Sequence, residues 1–278
     1  MKKKFLLVNE ASVYNSGLGK YGKNLLYNLR ALGWDVAELA FGQTVNCAHD
    51  ISIPWRIYYN NVASSDHRYS TFQNDNENTY GKWRFEKVLL HYKPDWVAFI
   101  GDPWMFSWAT RSPLRSKFNL ALMPTIDSLP LKAEWHAAIR TADLVLSYSD
   151  WAKNHFPDLI KGIPRYGVDF ESFYPVRNKE IHKERWGFPA TSKVIGSIMK
   201  NQPRKNFGDI FLVFKEIAAQ KPEALFYLHT AYPDSKCWDI PRLIHEHELE
   251  HKVYLTYQCL NCNTFSPSLF RGEFTYCD

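Results

Sequence analysis

Two cations, Arg204 and Lys205, stand together in the stretch NQPRKNF, between a short apolar run and an apolar-periodic segment. Asn206 is a good helix N-cap with Asp209 three positions later, and Phe207, Ile210, Phe211, Phe214 and Ile217 recur at helical spacing. This order predicts a strand, a turn and a helix, with the basic pair just outside the positive end of the helix dipole. Like charge there is destabilising unless an anion comes between. Arginine offers a planar fork to phosphate oxygens and lysine a mobile point charge. The pair therefore reads as a diphosphate site, with a solvent-facing basic pair as the alternative.

Other spacings carry chemistry as well. GLGKYG, from Gly17 to Gly22, matches G-x-G-x-x-G between a strand and a helix, as in a dinucleotide fingerprint. The loop before it is long for that tight turn, and Asp35 and Glu38 lie closer than the ribose-binding acid expected about 20 residues on. A broader reading keeps Gly17 and Gly19 as points of close backbone approach at a helix N-terminus that receives an anion. A flexible loop is the bland alternative. HELEH, from His247 to His251, fits the zinc-protease pattern H-E-x-x-H but sits where a helix gives way to a strand, so a solvated helix end fits better. Cys259 and Cys262 form a C-x2-C pair and Cys277 follows, an incomplete set for a structural zinc knuckle or simply free thiols. His229 and Thr230 close another strand, at the end where doubly wound sheets bind ligands, although a strand-end turn explains them equally.

These residues need a scaffold, and the rest of the sequence supplies one. The chain has 278 residues, 45% of them hydrophobic and 23% charged, which suits a globular protein of roughly two domains. The net charge of +5 is scattered, which argues against a nucleic-acid partner. The 10 Trp and 16 Tyr serve core packing and also offer faces on which sugars or bases stack. Five cysteines, an odd number, argue for free thiols in a reducing compartment. The opening MKKKFLLVNE has too short an apolar run for a signal peptide, and no stretch is long enough to span a bilayer. A soluble cytoplasmic protein is the expectation, with peripheral membrane contact left open.

Strand, loop and helix then alternate. Strands are expected at Lys3–Val8, Asp35–Ala40, Trp96–Ile100, Asn119–Met123 and Leu144–Tyr148. Helices are expected after the Gly-rich loop up to Gly33, at Lys82–Tyr92, at Lys132–Ala142 and at Asp150–Phe156. Residues 43–78 read as an irregular excursion. A charged, turn-rich break, GVDFESFYPVRNKEIHKERWGFPATS, precedes a second ladder. Its strands are Lys193–Met199, Ala224–Thr230 and Lys252–Tyr257; its helices are Phe207–Ala219 and Ile240–Glu250. Such alternation predicts an α/β protein with parallel, doubly wound sheets. The expected domains are 1–172 and 173–278, the second thin and ending in a Cys-containing tail, 259–278.

NQPRKNF after a strand, YLHT on the next one, MPTIDSLPL, and ADLVLSYSDWAKNHF followed by IPRYGVDFESFYP together resemble the GT4-type (group 1) glycosyltransferases of the GT-B fold. The resemblance runs from the Gly-rich loop to about Tyr257. It implies two Rossmann-like domains, the second incomplete, with the acceptor mainly on the first and the nucleotide-sugar on the second. It further implies a retaining transfer of a hexose from a nucleotide diphosphate sugar (UDP or GDP) to a glycan or other hydroxyl acceptor, without a catalytic metal. Arg204 and Lys205 match the basic pair that holds the donor diphosphate. Gly17, Gly19 and Tyr21 match the Gly-rich segment that closes over the donor phosphates or the acceptor. Asp127 lies where many relatives carry a His or His-Asp in the catalytic cleft. The downstream E-x7-E region that grips the donor sugar is not in the sequence, so weak or no activity is expected of this chain alone. A non-catalytic nucleotide- or sugar-binding remnant is the alternative from another class, and an NAD-dependent enzyme the third.

Overall fold

The computed structural model describes residues 2–42, 53–165, 167–232, 237–259 and 261–270. The chain divides into two compact units, Met1–Val168 and Asp169–Asp278.

In the first unit, apolar runs become β1 (Lys4–Glu10), β2 (Asp35–Phe41), β3 (Arg56–Tyr59), β4 (Trp96–Gly101), β5 (Asn119–Pro124) and β6 (Leu144–Val145). They form one sheet in the order β3-β2-β1-β4-β5-β6, parallel throughout. Side chains of β1 alternate between the faces, so both must be apolar. Leu6 and Val8 join Phe85, Val88 and Leu89 of α3 (Lys82–Tyr92) on one face, while Phe5 and Leu7 join Leu26 of α1 (Gly17–Ala31) on the other. The strand order reverses between β1 and β4. Shorter helices are α2 (Tyr69–Gln73), α4 (Pro103–Phe106), α5 (Ala133–Arg140) and α6 (Asp150–His155).

The second unit contains α7 (Lys179–Arg185), β7 (Lys193–Ile198), α8 (Phe207–Gln220), β8 (Ala224–His229), α9 (Ile240–Glu246), β9 (Val253–Gln258) and β10 (Phe265–Leu269). The sheet order is β10-β9-β8-β7, parallel from β7 to β9 with β10 antiparallel. Phe211 and Phe214 of α8 seal its core against Phe226, at ring separations of 5.7 and 4.8 Å. In the first unit the leading strand β1 has a neighbour on each side; here the leading strand β7 stands at the edge. This sheet is the incomplete one.

Several elements depart from the sequence reading. The stretch expected to be irregular holds β3, α2 and a 3-10 turn at Asn76–Tyr80 in its described part; residues 43–52 lie outside the described residues. β3 forms because β2 offers an edge, a long-range pairing that periodicity does not register. Helix α9 stops at Glu246, not Glu250, because Glu248 takes a left-handed conformation (φ 58°). Within the expected tail, β9 turns back through Cys259–Thr264 into β10.

Candidate functional site

In the second unit, β7 delivers the chain into a fixed turn. Asn201 is buried, and its side chain clips onto the backbone of Trp238: Nδ2 donates to the Trp238 carbonyl (2.8 Å) and Oδ1 accepts from the Trp238 amide (3.1 Å). The Trp238 indole then donates to the Pro203 carbonyl (3.1 Å). Between these anchors Pro203–Lys205 makes a single 3-10 turn, and α8 begins at Phe207. Arg204 is exposed and Lys205 half-buried. Among the described residues neither side chain makes an ion pair or a hydrogen bond. The cap differs from expectation. Asn206 adopts a left-handed conformation (φ 49°, ψ 54°) and accepts no amide hydrogen bond; its Nδ2 donates instead to Asp209 Oδ2 at 2.5 Å. Asparagine tolerates that backbone better than most residues. The basic pair thus sits at the carboxyl end of the parallel strands β7–β9 with no counter-ion among the described residues, the electrostatic condition an anionic ligand relieves.

His229 ends the neighbouring strand, and its carbonyl accepts the Met199 amide at 3.2 Å. Its Nδ1 lies 2.8 Å from Thr256 Oγ1, which Tyr227 also reaches at 2.7 Å. The ring is thereby held in one orientation with Nε2 left over. Thr230 Oγ1 is buried without a hydrogen-bonding partner among the described residues, an orphan of the kind that ligands or water usually satisfy. The fold thus brings the basic pair and His229–Thr230 to one end of one sheet.

In the first unit, the carboxyl ends of β1, β4 and β5 gather Glu10, Asp102 and Asp127 on either side of the strand-order reversal. Ser16 caps α1 by accepting from the Gly19 amide (3.0 Å) and donates to Glu10. Thr125 donates to Asp102, whereas Asp127 is exposed and bonded only to the Ser128 hydroxyl at 3.1 Å. Glu10 and Asp102 were missed by the sequence reading; their only signal was position, each at the end of an apolar run.

The three glycines of GLGKYG lie inside α1, not in the turn before it. A Cβ on Gly19 would stand 2.8 Å from the carbonyl oxygens of Ala11 and Tyr14, and one on Gly22 would stand 2.5 Å from Asn9 Nδ2. Both serve the packing of helix on strand. Gly17 alone faces open space. Tyr21 turns onto the sheet face, its ring edge-on to Tyr148 at 5.9 Å, away from the helix mouth that Gly17 marks. Neither of the two acids near that position fits the NAD reading. Asp35 starts β2 at the opposite end of the sheet, and Glu38 is buried within β2, accepting from the Ser12 amide and hydroxyl (both 2.6 Å) and the Trp55 indole (3.1 Å). Burial raises the Glu38 pKa above its ordinary value, opposed by these donors.

The H-E-x-x-H spacing does not make a metal face, since His247 caps α9, stacks on Phe211 (6.2 Å) and is separated from His251 by the left-handed Glu248. Cys259 and Cys262 sit at the tip of the β9–β10 hairpin, with the Cys262 amide 3.5 Å from Cys259 Sγ. Cys277 lies outside the described residues. Among the described residues no three His, Cys, Asp or Glu side chains gather to hold a metal, and no helix is long and apolar enough to cross a membrane.

No family model matches the chain, and no curated protein does. Solved structures do. Sucrose-phosphate synthase from Thermosynechococcus elongatus is 17% identical with a TM-score of 0.63, the match covering 91% of this chain and 70% of that one. HepE from Anabaena, in complex with UDP, is 16% identical with a TM-score of 0.59, covering 92% and 68%. UDP-GlcNAc 2-epimerase from Neisseria meningitidis, bound to UDP-GlcNAc, is 15% identical with a TM-score of 0.53, covering 92% and 72%. Likeness at such identities establishes the fold: two Rossmann-like units of the GT-B type, the second incomplete.

Proposed function

We propose that this chain is a glycosyltransferase of the GT4 type that takes a hexose from a nucleotide diphosphate sugar, UDP- or GDP-linked, and passes it with retention to a hydroxyl of a glycan or similar acceptor. The observation that carries the reading is the uncompensated basic pair, Arg204 and Lys205, in a turn held rigid by Asn201 and Trp238 at the carboxyl end of β7. GT-B relatives solved with UDP or UDP-GlcNAc support the donor class.

In this reading the diphosphate lies against Arg204 and Lys205. As the bond from the anomeric carbon to the diphosphate oxygen breaks, the charge developing on the leaving group is met by cations already in position. His229 and Thr230 border the donor on the adjacent strand, and Asp127 orients the acceptor hydroxyl on the first unit. Gly17 leaves the N-terminus of α1 open to close approach by a ligand. The chemistry as described needs no metal, and Cys259 and Cys262 have no catalytic part.

Calorimetric titration with UDP, GDP and NAD tests the donor site. UDP or GDP should bind, and Arg204→Ala should weaken binding by about 1.5–3 kcal/mol, the worth of a charged hydrogen bond. NAD binding that survives in the variant would sink the proposal. Release of nucleotide from a nucleotide-hexose in the presence of a hydroxyl acceptor tests transfer, and nucleotide binding without turnover would favour a purely binding role.

A further inference from the structure

The carboxyl ends of the first sheet gather acids; its amino ends gather cations. Around the starts of β1, β2 and β3 lies a cavity of about 540 Å³ whose lining includes Lys4, Arg30, Arg56, Asp35, Tyr58 and Tyr92. Strand pairing sets Lys4 opposite Asp35 and Arg56 opposite Ala37, so the two cations come from the strands on either side of β2. Arg56 and Tyr58, two residues apart in β3, share a face. Arg30 comes from the last turn of α1. Tyr92 ends α3, and its hydroxyl donates to the Asp35 carbonyl at 2.8 Å.

Two of the cations lie over rings. Lys4 Nζ is 5.3 Å from the centre of the Tyr92 ring and Arg56 Cζ 5.8 Å from that of Tyr58, and the two rings are 6.4 Å apart. His91 Nδ1 lies 2.9 Å from the Tyr58 hydroxyl. What the cations lack is a counter-ion. Among the described residues, Lys4, Arg30 and Arg56 form no ion pair, and the Lys4 ammonium donates only to the Tyr92 carbonyl, at 3.2 Å. Asp95, beside the start of β1, is taken by the Lys4 backbone amide at 2.7 Å. Asp35 is the sole acid among the described lining residues.

We infer that this cavity is a second ligand site, independent of the transferase reading, and that it binds a phosphorylated sugar. Three cations against one carboxylate leave a positive excess that a phosphate monoester, with a charge of about −1.5 to −2 near neutral pH, offsets. The two arginines offer planar forks to phosphate oxygens and Lys4 a point charge. Asp35 would repel a bare phosphate but accepts from a sugar hydroxyl, as an ionised carboxylate only accepts. The tyrosine faces suit the apolar side of a sugar ring. The volume falls within the range of small-molecule sites, about 300–1,000 Å³. The site lies at the opposite end of the sheet from Glu10, Asp102 and Asp127, so its ligand is not the acceptor proposed there.

Calorimetric titration of the 278-residue chain with glucose 6-phosphate and with ribose 5-phosphate, in a phosphate-free buffer, tests this. At least one should bind, and more tightly than inorganic phosphate or glucose. Arg30→Ala and Arg56→Ala each remove an exposed side chain, so the circular dichroism should not change. Each should weaken binding by about ten-fold or more, as expected for a lost charged hydrogen bond. Arg204→Ala should leave the affinity as it was, whether or not the chain binds UDP. Failure of both sugar phosphates to bind, binding that Arg204→Ala removes and Arg56→Ala does not, or inorganic phosphate binding as tightly as the sugar phosphates overturns the inference. Binding only to vesicles that carry phosphoinositides would assign the cavity to a lipid headgroup and overturn it as well.

Discussion

Lys205 and Arg204 are adjacent in sequence but differ in setting, the first half-buried and the second exposed. Charge is worth more where water is partly excluded. Lys205→Ala should accordingly weaken UDP or GDP binding at least as much as Arg204→Ala, as read by calorimetry. Glu38 makes a different kind of prediction. Its native pKa is raised, chiefly by burial, above the ordinary 4.5, so the folded state holds its proton more tightly than the unfolded state. The associated stability is fully present below about 4.5 and is lost as pH rises through the higher native value. Denaturation at a series of pH values should show this decline, and Glu38→Gln should flatten it. Gly22→Ala forces a methyl to within 2.5 Å of Asn9 Nδ2 and 3.0 Å of Leu7. It should cost about 1–3 kcal/mol, the usual penalty for overpacking, measured as a lower denaturation midpoint.

At the scale of elements, the turn from β7 to α8 depends on one side chain. Asn201→Ala removes both hydrogen bonds to the Trp238 backbone from a buried position. The expected loss is about 1–3 kcal/mol of stability, together with weaker nucleotide binding as the basic turn loosens. A variant that lost stability but kept full nucleotide affinity would show that the turn holds its shape without this anchor. The position of α8, its buried Phe207, Phe211 and Phe214, and the basic pair before it were all legible in the sequence, because helical periodicity is local. The cap conformation was not. Asn206 was read from its type as a side-chain acceptor, but the 3-10 turn brings the backbone in left-handed and turns the amide toward Asp209. The end of α9 was misjudged for a similar reason, since a left-handed Glu248 leaves no mark on hydrophobic spacing.

At the scale of the whole molecule, the chain parts into units at Val168 and Asp169, within a run of exposed residues without helix or strand. Such segments are preferred sites of nicking. Limited trypsin digestion should cut first at Arg177, exposed in the same run, and leave two resistant fragments corresponding to the two units. Early cleavage inside β1 or β8 would contradict that organisation. The alternation of strand and helix made both ladders readable, and with them the doubly wound class. Sheet order was not readable, because pairing joins residues distant in the chain. The reversal between β1 and β4, which gathers Glu10, Asp102 and Asp127, appears only in the folded chain.

The sequence by itself determined the α/β ladders, the helix that carries the buried phenylalanines, and the placement of Arg204 and Lys205 ahead of it. These follow from residue type and short-range periodicity. Only the tertiary structure decided that GLGKYG serves helix packing, that Glu38 is a buried structural acid, and that His229 and Thr230 share a sheet end with the basic pair. Burial, partnership and strand order are properties of contacts between distant segments, and no local pattern encodes them.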